Sequence, residues 1–304
     1  MKILVTGSNG LLGQKLITLL TAQENCQVIG TARGQNRLKG DFANFEYRSL
    51  DVTDAQAVEA IVSEMRPDAV IHTAAMTNVD ECESKQAECR QLNVEAVRYL
   101  ADSCAKHGVF LLHLSTDFIF DGTAGPYKED VPASPISFYG QSKADAEQVV
   151  IQQAGLQWAI ARTILVYGIA QDMSRSNIVL WVKKSLEDGK TIQVVDDQWR
   201  TPTLAEDLAM GCWLIVKHKA EGIFNISGEE LLTPYEMAQQ TAAFFGLSTD
   251  TMIRTDSSKF TQPAKRPPRT GFDITKAKTV LGYAPHTFRE GIAILAEQVA
   301  AQQS

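Results

Sequence analysis

Short apolar runs alternate with amphipathic stretches through the first half of the chain. Ile3-Leu4-Val5 ends at a glycine turn, and Leu12, Leu16, Leu19 and Leu20 then recur at helical spacing. The segment 27–33 reads as a second strand and Phe45–Val52 as a third, followed by a helix marked by Val58, Ile61, Val62 and Met65. Ala69–Ala75 and Phe110–Leu114 read as a fourth and fifth strand, separated by a helix through Leu92, Val97 and Leu100. The alternation is a βαβ pattern, which places ligands at the carboxyl ends of the strands. After Arg162 the pattern loosens into a strand at 192–195, a helix over 204–216 and a further strand at 222–228. Thr233-Pro234-Tyr235-Glu236 predicts a helix start, with a Thr cap, Pro in the first turn and Glu closing a capping box. Phe244 and Phe245 read as core.

Composition narrows the partners. The 304 residues are 44% hydrophobic and 21% charged, an ordinary globular balance. A formal net charge of −7 argues against nucleic acid or an anionic membrane. An anionic small molecule would therefore need a local cluster of cations. No apolar run reaches the length of a membrane span. Met1 to Gly7 runs straight into a strand and turn, so no signal peptide is expected. Cys26, Cys82, Cys89, Cys104 and Cys212 contain no C-x-x-C pair and read as free thiols of a reducing cytoplasm. The histidines show no metal-binding spacing, so no metal is expected.

Gly7-Ser8-Asn9-Gly10-Leu11-Leu12-Gly13 sits between the first strand and its helix. Such a turn lets a pyrophosphate approach the backbone at a helix N-terminus, where free N–H groups and the dipole favour anions. The second strand ends at Arg33 with no acid beside it, which favours a 2′-phosphate and hence NADPH over NADH. Asp51 either accepts from an adenine amino group, with Val52 beside the ring, or caps the next helix. Thr73, Ala74 and Ala75 are small residues that admit a cofactor, and Met76-Thr77 continues the loop. His72 reads as a satisfied core or loop histidine. Asn93 is either bonded to backbone near the site or exposed. Ser115-Thr116-Asp117 puts hydroxyls at the end of the fifth strand, with Thr116 able to bond a substrate carbonyl and Asp117 a neighbouring hydroxyl. Tyr139 and Lys143 are four residues apart on a helix, hence on one face. A cation near the phenol would ease release of its proton, as reduction of a ketone requires.

With the glycine turn, Ser-Thr-Asp and Tyr-Gly-x-x-Lys, the chain resembles an extended short-chain dehydrogenase/reductase, and within it the dTDP-4-dehydrorhamnose reductase family. Ala74 to Glu83, Ser115 to Gly122, Arg162-Thr163, Val166-Tyr167-Gly168, Asp197-Gln198 with Pro202-Thr203, and Arg266-Pro267 carry the likeness. It implies an α/β fold, a Rossmann-type doubly wound parallel sheet over residues 1–165. A smaller C-terminal α/β substrate lobe over 166–304 would be interleaved with it, because the strand at 222–228 returns to the first. It also implies Thr116, Tyr139 and Lys143 as the catalytic set, with Lys143 bonding the nicotinamide ribose. The cofactor set expected is Gly7, Asn9, Gly10, Leu11, Leu12, Gly13, Arg33, Asp51, Val52, Thr73, Ala74, Ala75, Thr77, Asn93, Ser115, Tyr139 and Lys143. A nucleotide sugar is the expected partner, with a homodimer as the candidate assembly. The substrate set expected is Asp117, Phe118, Asn177, Gln198, Arg200, Arg266 and Arg269. Two positions depart from the family pattern: Leu165 replaces an aromatic, and Arg200 stands near an expected Gly. Arg200 either binds a substrate phosphate or carboxylate or narrows the pocket. The Pro-rich segment 262–269 is either a diphosphate clamp, whose Arg forks can take two oxygens at once, or a solvated connector. The rival activities are an epimerase or dehydratase of nucleotide sugars and a non-catalytic dinucleotide-binding subunit, as in the similar beta subunit of methionine adenosyltransferase.

Overall fold

The computed structural model describes residues 1–40, 42–172 and 176–303. In chain order the first half forms β1 (Lys2–Thr6), α1 (Leu11–Thr21), β2 (Gln27–Ala32), β3 (Phe45–Ser49), α2 (Ala55–Met65) and β4 (Ala69–His72). Two short helices, α3 (Val79–Ser84) and α4 (Gln86–Arg90), lead through a π-helical turn at Gln91–Glu95 into α5 (Ala96–His107). β5 (Phe110–Thr116), α6 (Phe138–Gln152) and β6 (Trp158–Thr163) complete this half. The second half adds β7 (Val166–Tyr167), α7 (Ile178–Glu187), β8 (Ile192–Val195), β9 (Thr203–Leu204), α8 (Ala205–His218), β10 (Gly222–Asn225), α9 (Pro234–Phe245), β11 (Met252–Thr255), α10 (Thr275–Leu281) and α11 (Phe288–Gln303).

Seven strands form one parallel sheet in the order β10-β6-β5-β4-β1-β2-β3. Alternation along β1 assigns its two faces. Ile3 and Val5 join the core under α1 and α8, and Leu4 joins the core under α2, α5 and α6. Both faces are covered, which is why β5 is buried at every position. The strand order reverses between β1 and β4, and in doubly wound sheets that switch point opens a ligand crevice.

The second half serves two bodies. β10 pairs with β6 at the edge of the main sheet, and α8 and α10 pack beneath it. β8 pairs with β11, and β7 with β9, in two small parallel sheets. Tyr167, Val179, Leu204, Met237, Phe288, Ile292 and Leu295 form the core beside them, with Phe244 and Phe245 packed against it. Thr233 and Glu236 make the reciprocal capping box. A buried fork fastens α6 to β6: Arg162 donates to both carboxylate oxygens of Glu147, at 2.9 and 2.7 Å.

Three strands stop earlier than the apolar pattern predicts, at Ser49, His72 and Asn225. The residues past the first two ends turn over the crevice instead of extending the ladder. The cap of α2 also differs. Asp54 accepts from the N–H groups of Gln56 and Ala57, while Asp51 folds onto the N–H and hydroxyl of Thr53. The segment 262–272 is a docked strap rather than a solvated connector, since Pro267 and Pro268 lend their carbonyls to Arg200. Among the described residues no helix is long and apolar enough to cross a membrane.

Candidate active site

A cleft of about 700 Å³ opens at the carboxyl ends of β1, β2 and β4. Gly7, Asn9, Gly10 and Leu11 form its floor, and Thr73, Ala74, Ala75 and Thr77 one wall. Arg33 and Val52 line the other end. The turn geometry depends on two glycines. Gly7 has φ +71°, and a Cβ on Gly13 would stand 2.3 Å from the Gly7 carbonyl oxygen. Gly10 caps α1 without a side-chain bond, so the first N–H groups of the helix remain for an anion. This cradle fits a dinucleotide pyrophosphate.

Other expected cofactor residues act from behind this surface. Leu12 and Gly13 shape the turn, and Asp51 stands between Leu50 and Val52, which do line the cleft. Asn93 is buried: it accepts from the Met76 N–H at 2.8 Å and donates to the Met76 carbonyl and the Ser142 hydroxyl, both at 3.1 Å. Leu92 supplies the lining in its place. His72 is core, its Nδ1 2.7 Å from the Thr6 hydroxyl and its ring stacked on His113. Ser115 is buried beneath the strand ends. Sequence reasoning missed Arg37, which lines the cleft with Arg33. Its N–H donates to Asn9 Oδ1 at 3.0 Å, and Asn9 Nδ2 donates to the Gln35 carbonyl at 2.9 Å. A second cation four residues past Arg33 was the available signal.

Tyr139 reaches the end of β5 because α6 begins there. Ser137 caps the helix by accepting from the Gly140 N–H. Gly140 permits the contact: a Cβ there would stand 2.1 Å from the Phe118 carbonyl oxygen. Phe118 then meets Tyr139 edge to face, with centroids 5.6 Å apart. The Thr116 hydroxyl is near enough to the Tyr139 phenol to act on its pKa, lowering it. Lys143, one turn along, is turned inward. Its Nζ donates to the Leu114 carbonyl at 2.6 Å and lies 3.2 Å from His113 Nε2. Tyr139 and Lys143 thus lie one turn apart against β5, the strand that ends at Thr116.

Burial dominates the electrostatics of both groups. It pushes the Tyr139 phenol well above its ordinary pKa, and the Thr116 hydroxyl opposes this only in part. Burial also lowers Lys143 to about 8, against the pull of Glu147 and Cys89. Desolvation is the largest influence on each group, and the ammonium donates to a β5 carbonyl.

The expected substrate residues divide. Asp117 is buried and Phe118 half-buried beside Tyr139. Asn177 caps α7, accepting from the Leu180 N–H and donating to the Gly168 carbonyl at 2.6 Å. It also lines both the main cleft and a neighbouring cavity of about 540 Å³ walled by Leu165, Tyr167, Trp181, Gln193 and Phe260. The cations are engaged within the chain. Arg266 pairs with Asp80 at 2.8 Å, Arg269 lies over the Trp199 ring, and Gln198 Oε1 accepts from buried Arg200. Each would have to exchange partners to reach a ligand.

Comparison with known proteins completes the description. The family model described as the RmlD substrate binding domain matches residues 1–301. The methionine adenosyltransferase 2 subunit beta of Pongo abelii is 32% identical over 298 residues, covering 96% of this chain and 86% of that protein. A dTDP-4-dehydrorhamnose reductase of Streptomyces griseus is 34% identical over 281 residues, covering 90% and 86%. A solved dTDP-4-dehydrorhamnose reductase from Clostridium acetobutylicum has a TM-score of 0.86 at 26% identity, covering 99% of this chain and 100% of that one.

Proposed function

The chain belongs to the RmlD family of extended short-chain dehydrogenases/reductases, and from that membership we propose that it is an NAD(P)H-dependent reductase of a nucleotide-linked 4-keto-6-deoxysugar. One observation carries the reading: Tyr139 and Lys143 lie one turn apart on α6, with Lys143 bonded to the Leu114 carbonyl of β5 and Thr116 at the end of that strand. When bound, the reduced nicotinamide supplies the hydride. Tyr139 gives its proton to the carbonyl oxygen as that oxygen gains charge, converting the ketone to an alcohol. Its high pKa keeps the proton in place until the alkoxide forms. Thr116 orients the phenol. Lys143 holds positive charge beneath the site and releases Leu114 to bond the nicotinamide ribose.

We assign NADPH as the preferred cofactor. Arg33 and Arg37 line the adenosine end of the cleft, and Asn9 fixes the loop between them. A carboxylate at the end of β2 would instead select a ribose hydroxyl. A sugar nucleotide seated between the strand ends and the lobe after residue 166 is supported by Asn177, which lines both cavities. Five buried free thiols suit a reducing compartment and support a cytoplasmic location for the activity.

A second reading, a dinucleotide-binding subunit of a larger assembly, is favoured by the 32% identity to a methionine adenosyltransferase beta subunit. Consumption of cofactor separates the two. The assay is loss of reduced-nicotinamide absorbance on dTDP-4-keto-6-deoxy-L-mannose generated in situ, with NADPH and NADH in parallel. The reductase reading requires net oxidation that vanishes in Tyr139→Phe. An epimerase would return the hydride and leave NADPH unconsumed. Cofactor binding without oxidation of either dinucleotide would favour the subunit.

A further inference from the structure

Arg200 stands near a position where the family pattern carries Gly, and the residue is only 5% exposed. It lines neither cavity. Nη1 donates to the Trp199 carbonyl at 2.8 Å and to Pro268 at 3.2 Å, and Nη2 donates to Pro267 at 2.6 Å. Its Nε lies 3.7 Å from Asp117 Oδ2. The other partners of Asp117 are hydroxyls: Thr116 donates to Oδ1 at 3.0 Å, and Thr270 of the strap donates to Oδ2.

We propose that Arg200 is a positioning residue for the reduction, acting on Thr116 through Asp117. The inference rests on the reductase reading above. A hydroxyl carries one hydrogen. While that hydrogen lies on Asp117, Thr116 meets Tyr139 only as an acceptor. A Tyr139 proton directed at Thr116 would then be held in one orientation, ready to be handed on. A protonated Asp117 would no longer demand the Thr116 hydrogen, and Thr116 would be free to donate to the phenol oxygen and turn the transferable proton away. Burial raises Asp117, and the Arg200 charge is the first force opposing it. The charged and titratable groups around Asp117 are Arg200 from the segment before β9 and Tyr139 from α6, with Arg266 of the strap acting on Arg200. Thr116 and Thr270 complete its surroundings.

A simple fastener between strap and sheet would change stability and leave the pH profile alone. Positioning predicts more. In Arg200→Met, kcat falls about ten- to a hundredfold with little change in KM, as loss of orientation costs. An acid limb also appears that the wild-type profile lacks, as Asp117 takes up a proton once the opposing charge is gone. The double variant Arg200→Met with Asp117→Asn lacks that limb, and Arg200→Lys restores the wild-type profile. A wild-type pH profile in Arg200→Met overturns the proposal. If that variant does not fold, Thr270→Val, which strips one hydroxyl from the same carboxylate, must raise the limb in the same direction. The carboxyl carbon NMR signal of Asp117, assigned by its loss in Asp117→Asn, gives a readout without turnover. It titrates at a higher pH in Arg200→Met than in the wild type. Should the wild type reduce no sugar, the reductase reading fails alone, and a carboxyl signal insensitive to Arg200 sinks the positioning device by itself.

Discussion

The dinucleotide cleft and the junction where Asp117 meets the strap are neighbours, yet they are built in opposite ways. The cleft is assembled from residues that follow strand ends within a few positions: Gly7 to Leu11 after β1, Arg33 after β2, and Thr73 to Ala75 after β4. Each stretch carries its role in its own sequence, because the chemistry is backbone approach and small side chains. The junction draws Asp117, Arg200, Pro267 and Thr270 from segments up to 153 residues apart. There a charged side chain means nothing until its partner is known. Local chemistry makes a site legible; long-range pairing hides it.

The largest effect should fall on the catalytic side of the comparison. Tyr139→Phe keeps the ring against Phe118 and removes the proton, so turnover should drop by about 10² to 10⁴ while dinucleotide affinity holds. An equal loss of binding would show that the two regions are not separable. Next comes the fork behind α6. Glu147→Gln leaves Arg162 buried with one partner gone, and a denaturant midpoint shift worth about 3–5 kcal/mol is expected, without a change in m. On the cleft side, Gly13→Ala would press a methyl onto the Gly7 carbonyl at 2.3 Å. Strain of about 1–3 kcal/mol should weaken dinucleotide binding measured by titration calorimetry, leaving the Thr116–Tyr139 contact unaffected.

Legibility followed this division. The βαβ pattern, the glycine turn and the Tyr139–Lys143 spacing were all readable, since periodicity and a single turn of helix fix them. The early stops of β3 and β4 were not, because apolar residues past a strand end line the crevice as readily as they continue a ladder. Arg37 was missed because it follows a glycine loop with no periodic signal, and only Asn9 reveals why it is held in place. The pairing of Arg266 was hidden because its partner Asp80 lies 186 residues away. The electrostatics of Tyr139 and Lys143 were hidden for a third reason. Spacing places both on one face, but burial and the Leu114 carbonyl decide where the ammonium points.

Two smaller effects sharpen the contrast. Arg33→Ala with Arg37→Ala should weaken NADPH by about tenfold and leave NADH nearly unchanged, as solvent-exposed charge pairs are worth little each. Equal losses for both cofactors would remove the 2′-phosphate assignment. Lys143 has its pKa lowered to about 8 by burial, so its ammonium is intact below that pH and lost above it. kcat/KM should therefore decline as pH rises through about 8, and Lys143→Arg should flatten that limb at lower turnover.

The central claim is that Thr116, Tyr139 and Lys143 serve a net hydride transfer to a sugar carbon. It is tested most directly by incubating the protein with the 4-keto sugar nucleotide and NADPH deuterated at the transferring position, then reading the product by mass spectrometry. The account predicts one deuterium at the former ketone carbon for the wild type and none for Tyr139→Phe. An unlabelled sugar recovered from wild-type protein that demonstrably binds NADPH would contradict it.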